Sequence, residues 1–332
     1  MKKILIIYYM IRIYIKMEKF SIGNDKIKVN FVSDMPLIDY FQKNHSMMEI
    51  YDYKIGNIDF NYPIVIYKNG VSNQTILVRD NCMIITYPME NLIPENILYM
   101  GTKYLEKQHL KNSMVTCHSA CVEKNGKALL IVGESGSGKT SLAINLCLKK
   151  GYSLVSNDMS LIGIENDELF VYWGTKFINL RLESVRSNMP ELLELFRDKK
   201  LDAWLTKIKV MPKDIGIFQS NGIFPINKVI YIHIDSRENL YISKGDTWRN
   251  NFLMYQNISS HITNQASSFV DKNGHNIGYV PSFDSYSAYY ERTKIIELIN
   301  ERCYNVTGSI DECVNLLSSA EYERKRENVK NK

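Results

Sequence analysis

Gly133-Glu134-Ser135-Gly136-Ser137-Gly138-Lys139-Thr140 is the stretch whose reading decides the fold. It fits G-x-x-x-x-G-K-[ST], a loop between a strand and a helix that wraps phosphate. Glycines let the backbone turn tightly, so that successive N–H groups converge and form a nest for phosphate oxygens. The helix that follows adds the positive end of its dipole. Lys139 is placed to neutralise the β and γ phosphates, and Thr140 offers a hydroxyl to Mg²⁺. Glu134 is the unfriendly residue, because its carboxylate has to point away from the phosphates. The flanks agree with the motif. Ala128 to Val132 reads as an apolar strand, and Ser141 to Lys150 as a helix that ends at the C-cap Gly151. The expected cradle therefore runs from Gly133 through Ser141, with ATP and Mg²⁺ as its ligands.

Such a site also needs an acid. Asp158 is the candidate, just past the strand Ser153 to Ser156. That strand is expected beside the loop strand, which brings the carboxylate to the Mg²⁺ region at the carboxyl edge of the sheet. A turn or helix cap is the plainer role for such an Asp. Asn157 is polar but cannot act as a base. Upstream, Val115 to Glu123 and Lys127 to Val132 read as two strands joined at Asn125-Gly126. His118 falls on the first of them, where a hydrogen-bonded core histidine is the alternative to a functional one. Downstream, Leu161 to Ile164 and Leu169 to Trp173 flank a turn at Glu165 to Glu168. Arg181 suits either transferred phosphate or a surface salt bridge. Leu182 to Lys200 reads as a helix interrupted at Pro190, and Lys228 to Ile234 as a central strand. Asp246 is expected to cap a helix running to about Asn257. Ser282 to Arg302 reads as a long helix with Tyr286, Tyr289, Ile296 and Ile299 inward. Cys303 to Val306 closes as a strand, and Ile310 to about Glu323 as the last helix.

His118-Ser119-Ala120, the hairpin, the loop Gly133 to Thr140, and Gly151-Tyr152-Ser153-Leu154-Val155-Ser156-Asn157-Asp158 together resemble the catalytic domain of HPr kinase/phosphorylase. The wider group includes serine kinases that occur with peptide-maturation enzymes. The resemblance covers residues 115 to 165 and continues in outline beyond them. It implies an α/β P-loop kinase core of the HPr kinase / PEP carboxykinase-like type. It also implies Mg-ATP-dependent transfer of the γ-phosphate to a serine of a protein or peptide. By the same resemblance, Lys139 and Thr140 are the phosphate and metal residues. Asp158 is the second acid of an Asp-Asp pair, and His118 is the active-site histidine. The implied catalytic residues are Asp158, Lys139 and His118, and the implied metal residues are Thr140 and Asp158. Asn157 stands where the first acid belongs, so Asp158 has to serve as base, metal contact or both. The glycine-rich signature tied to reversal of the phosphorylation has no clear counterpart in Arg181 to Lys200. Two readings stay open beside a serine kinase: a regulatory P-loop protein that binds nucleotide without transferring phosphate, and a small-molecule kinase. A transporter ATPase is disfavoured by the lack of a Leu-Ser-Gly-Gly signature.

Ahead of the loop, Lys26 to Val32, Tyr62 to Tyr67, Thr75 to Val78 and Met83 to Tyr87 read as strands, with Asn69-Gly70 as a hairpin turn. Pro36 to Asn44 reads as a short helix. Pro94 to Lys111 reads as a helix burying Ile97, Leu98, Tyr104, Leu105 and Leu110. The expected organisation is a doubtful or flexible start over 1–16, a smaller mixed α/β domain over 17–112, the P-loop domain over 113–325 and a charged tail over 326–332. Ile4 to Ile15 is apolar but is interrupted by Arg12, and Met17 is an alternative start. No stretch approaches the roughly 18 apolar residues of a membrane span. With 332 residues, 45% hydrophobic and 23% charged, the chain has ordinary globular usage, which excludes a disordered chain, a collagen-like repeat and a coiled-coil rod. A net charge of +5 is too mild to argue for a nucleic-acid or membrane partner. Six scattered cysteines point to the reducing cytoplasm, and Cys117-His118-Ser119-Ala120-Cys121 reads as strand, not as a metal site. The expected partner is a protein or peptide carrying a serine, and a homo-oligomer is left open.

Overall fold

The computed structural model describes residues 17–39, 53–70, 75–88, 94–197, 206–263, 268–274, 276–279 and 282–319. The apolar start, most of the helix expected over Pro36 to Asn44, the end of the stretch Leu182 to Lys200 and the charged tail lie outside them. Packing divides the chain into two units, one reaching to Lys111 and including Ser259–Ala288, the other formed by Asn112–Ile258 and the chain from Tyr289 on. Residues 259–288 thus pack with the first unit, although the sequence reading gave them to the second domain.

The first unit holds β1 (Glu18–Gly23), β2 (Lys28–Ser33), β3 (Lys54–Gly56), β4 (Ile64–Asn69), β5 (Thr75–Arg79), β6 (Cys82–Tyr87) and α1 (Pro94–Lys111). The strands form one six-stranded sheet in the order β3-β1-β2-β4-β6-β5. Asn69-Gly70 does not make a hairpin. β4 pairs with β6 in parallel, and the hairpin is β5–β6, turned at Asp80 with φ 38°. The two-residue connection Asp80-Asn81 after β5 is too short for anything but an antiparallel return, whereas a parallel neighbour needs a longer crossover. α1 lies on β2 and β4 and buries Ile97, Tyr104, Leu105 and Leu110. Gly101 lets it approach, since a Cβ there would stand 2.5 Å from Cζ of Phe31.

The second unit continues with β7 (Met114–Cys117), β8 (Ala120–Lys124), β9 (Lys127–Val132), α2 (Lys139–Lys150), β10 (Ser153–Ser156), β11 (Ser160–Glu165), β12 (Glu168–Gly174), β13 (Ile178–Arg181), α3 (Leu182–Asn188), β14 (Lys207–Val210), β15 (Phe224–Ile234), β16 (Tyr241–Lys244) and α4 (Trp248–Ser259). The hairpin β17 (Ser268–Val270) and β18 (Asn276–Tyr279) belongs to the first unit, and α5 (Tyr286–Asn300), β19 (Cys303–Gly308) and α6 (Ile310–Leu317) follow. A nine-stranded sheet runs β10-β8-β9-β15-β12-β11-β7, with β19 beside β15 and β16 beside β19. β9, β15 and β19 are parallel, so their carboxyl ends share one edge. α2 packs through Leu142, Ala143 and Leu146 into a core with Val122, Leu129, Ile131, Cys313, Val314 and Leu317. Gly151 ends the helix at φ 67°, its N–H donating to the Leu146 carbonyl.

Four local expectations change. Val115 to Glu123 is not one strand; it breaks at His118-Ser119 because β7 pairs with β11 while β8 pairs with β9 and β10. β10 does not lie beside β9, since β8 stands between them. The first turn of α4 is capped by Thr247, whose Oγ1 accepts the Asn250 N–H at 3.2 Å, and not by Asp246. On α5, Ile296 and Ile299 are buried, but Tyr286 and Tyr289 are exposed at 84% and 49%. The buried stripe of the helix runs through Ala288, Arg292, Ile295 and Ile299, so Tyr286 and Tyr289 fall beside it. No described helix is long and apolar enough to cross a membrane.

Candidate active site

Strand directions bring the site together. β8 runs antiparallel to β9 with Ala120 opposite Ile131, so the residues before β8 stand where the loop leaves β9. β10 runs antiparallel to β8 with Ser156 opposite Cys121, so the residues after β10 arrive at the same edge. His118-Ser119 and Asn157-Asp158-Met159 are therefore two neighbouring crossings between halves of the sheet. They are tied by the Ser119 N–H donating to the Asp158 carbonyl at 3.1 Å. Beneath them, the hydroxyl of Ser160 lies 2.7 Å from that of Ser119 and 2.6 Å from that of Ser156, all three buried.

The loop Gly133 to Thr140 is held open by its glycines and by the end of β15. Gly138 has φ 96°, and a Cβ there would lie 2.4 Å from Cγ1 of Ile234. Gly133 has φ 150°, and its Cβ would meet the Ser137 Oγ at 2.6 Å and the Ile232 carbonyl at 2.8 Å. The Ile234 N–H donates to the Ser137 carbonyl at 3.0 Å, which pins the loop to the sheet. α2 begins without a capping side chain and without an acid in its first turn, which leaves its amino end to an outside anion. The Ser137 hydroxyl is buried and has no hydrogen-bond partner among the described residues. Lys139 is buried, and its Nζ donates to the carbonyls of Gly133 at 2.9 Å and Glu134 at 3.0 Å. Burial lowers its pKa from the ordinary lysine value, while the Asp158 charge works in the opposite direction. Glu134 points away from the loop centre, and its Oε1 takes Arg249 at 3.0 Å.

Thr140 and Asp158, read together as the metal pair, have different partners. The Thr140 hydroxyl donates to Oδ1 of Asn157 at 3.0 Å. Asp158 pairs instead with His118, Nε2 to Oδ1 at 3.0 Å, both side chains nearly half exposed. Asp158 sits at φ 73°, a left-handed conformation in which Asp and Asn are enriched. The hydrogen bond from His118 holds its carboxyl below the usual range. Burial opposes that shift, and the charges of His118, Lys139 and Lys207 add to it.

The geometry of Gly133 to Ser141 suits a triphosphate, with a glycine cradle, a bare helix start, a lysine and an orphaned buried hydroxyl. The oxygens of Thr140, Asn157 and Asp158 are hard donors of the kind Mg²⁺ takes alongside phosphates and water. Asn257, Arg249 and Lys207 are additions that the sequence did not suggest. The Asn257 side chain accepts the His118 N–H at 2.7 Å and donates to its carbonyl at 3.0 Å, from 139 residues away. Arg181 ends β13, directly opposite Lys207.

No known family matches the chain, and no curated protein does. Among solved structures it is similar to "Structure of the Hpr(Ser) kinase/phosphatase from Coxiella burnetii", at 19% identity and a TM-score of 0.24. That match covers 35% of this chain and 63% of the other, less than two thirds of its length. At this score the likeness carries no functional argument, which rests on the residues above.

Proposed function

We propose that the protein is a cytoplasmic Mg-ATP-dependent phosphotransferase that moves the γ-phosphate to a serine hydroxyl of a protein or peptide. The observation that carries the reading is the meeting, at one sheet edge, of an anion cradle and a His118–Asp158 pair. Mg²⁺ bound with the triphosphate supplies neutralisation of charge on the β and γ phosphates.

The chain's own residues do the rest by position. Lys139 leaves the loop carbonyls and turns its ammonium to the phosphates, whose negative charge, like that of Asp158, opposes the lowering of its pKa by burial. Thr140, held by Asn157, presents its oxygen at the start of α2. Asp158 has Oδ1 committed to His118, which leaves Oδ2 for the acceptor hydroxyl. A carboxylate with a lowered pKa is a weak base. That suffices, because a loose phosphoryl-transfer transition state draws little on the nucleophile and its proton leaves late. Asp158 orients the hydroxyl and accepts the proton, and His118 stabilises the carboxylate.

Calorimetry with Mg-ATP and transfer of labelled phosphate to serine peptides test the reading. Lys139→Ala abolishes association, and Asp158→Asn abolishes transfer while largely sparing association. Absence of heat with the wild-type chain sinks it. A second reading, nucleotide binding without transfer, is favoured by one feature: Asn157 holds the place beside Thr140 where an acid would assist the metal. Association with no transfer to any hydroxyl would select it.

A further inference from the structure

We propose that the outward face of the β13–β14 ribbon docks the acceptor, and that the acceptor carries carboxylates beside its hydroxyl. The inference rests on the phosphotransferase reading and names its substrate class.

The ribbon has two unlike faces. Ile178 and Leu180 are buried, and Ile208 and Val210 pack against the same core. Strand alternation therefore sends Asn179 and Arg181, with Lys207 and Lys209, to the other face. In the register, Arg181 stands opposite Lys207 and Asn179 opposite Lys209. Like charges directly opposite on one face repel. Neither Arg181 nor Lys207 forms a salt bridge among the described residues, and Asp158, on which the Lys207 charge acts, is already paired with His118, so the repulsion is only partly relieved. An anion laid across the pair would relieve the rest.

The ribbon is also tied to the reacting centre. It starts two residues after Lys176, whose Nζ donates to the Val155 carbonyl at 2.6 Å. Next to that lysine, the Thr175 carbonyl accepts the Asn157 N–H at 2.8 Å. Lys207 is close enough for its charge to act on Asp158. The triphosphate already has its own cradle, lysine and helix end. The cations of the ribbon are surplus to it and sit beside the carboxylate that would orient the hydroxyl. A serine flanked by Asp or Glu meets both requirements.

The test titrates the full chain with labelled peptides holding one serine flanked by aspartates, asparagines or lysines, read by fluorescence anisotropy. The aspartate peptide is expected to bind about tenfold tighter than the asparagine peptide, the gain of two modest ion pairs. Arg181→Gln with Lys207→Gln removes the difference, and Lys207→Glu, which leaves Arg181 facing an opposite charge, removes it as well. Mg-ATP affinity, measured by calorimetry, changes in the double variant by much less than the peptide preference. Equal binding of the aspartate and asparagine peptides overturns the inference. So does a double variant that loses Mg-ATP affinity by as much, because the cations would then belong to the nucleotide. Charge-selective peptide binding without phosphoryl transfer would keep the docking face and remove the phosphotransferase reading.

Discussion

Gly138→Ala probes the cradle without touching a charge. The residue sits at φ 96°, and an added Cβ would stand 2.4 Å from Cγ1 and 2.9 Å from Cβ of Ile234. Holding an L-residue on that side of the map costs about 1–2 kcal/mol. Forcing a methyl into a filled space adds about 1–3 kcal/mol. Ile234 has little room to retreat, because its N–H is bonded to the Ser137 carbonyl inside the same loop. The expected loss is therefore about 2–5 kcal/mol in urea unfolding. The first-turn N–H groups of α2 turn with the loop, so Mg-ATP association weakens by about tenfold or more, the worth of one charged hydrogen bond. Ile234→Ala removes the nearer contact and leaves the farther one. The double variant should thus be less destabilised than the sum of the singles, while the backbone share of the cost persists. A Gly138→Ala protein as stable as wild type, with Mg-ATP affinity intact, would refute this account of what shapes the loop.

Asn157→Asp keeps the bond from Thr140 and adds a charge at a position only 2% exposed. The variant without metal should lose about 1–3 kcal/mol in thermal or urea unfolding, and Mg-ATP should bind it more tightly than wild type. Asn257→Ala releases both backbone groups of His118, so transfer should slow by about 10–100-fold with the KM for ATP unchanged, as expected for a misplaced catalytic group. A parallel loss of ATP affinity would show that Asn257 supports the fold and not the position of His118. Lys103 of α1 is buried, bonds the Thr263 carbonyl at 2.9 Å, and has its pKa lowered by burial to about 8. An unfolded lysine titrates near about 10.4, so the folded state binds fewer protons between the two values and stability rises with pH across that window. Below about pH 8 the charged, buried ammonium costs about 2–3 kcal/mol. Lys103→Met should abolish the rise, measured as the urea midpoint at pH 7.5 and 10.

Much of the local structure was legible because its causes are local. The glycines of the loop, the apolar strand before it and the Gly151 stop after α2 are short-range signals, as is the turn between β11 and β12. The helical spacing of Pro94 to Lys111 carried α1 in the same way. The hairpin at Asn69-Gly70 failed where a good turn dipeptide met a strand whose partner lies farther along the chain. Asp246 failed because a cap depends on which hydroxyl or carboxylate reaches a particular N–H. Tyr286 and Tyr289 had helical spacing, but the face that packs inward is the one carrying Ala288 and Arg292.

By itself the sequence determined a glycine-rich loop between a strand and a helix, since backbone freedom and local periodicity are properties of neighbouring residues. Tertiary structure alone decided how the polar residues divide their work. β8 inserted between β9 and β10, and antiparallel pairing then delivered His118 and Asp158 to the mouth of the cradle while Asn157 went to Thr140. Strand order, and with it the partner of each carboxylate, depends on contacts between residues far apart in the chain. No local pattern encodes them.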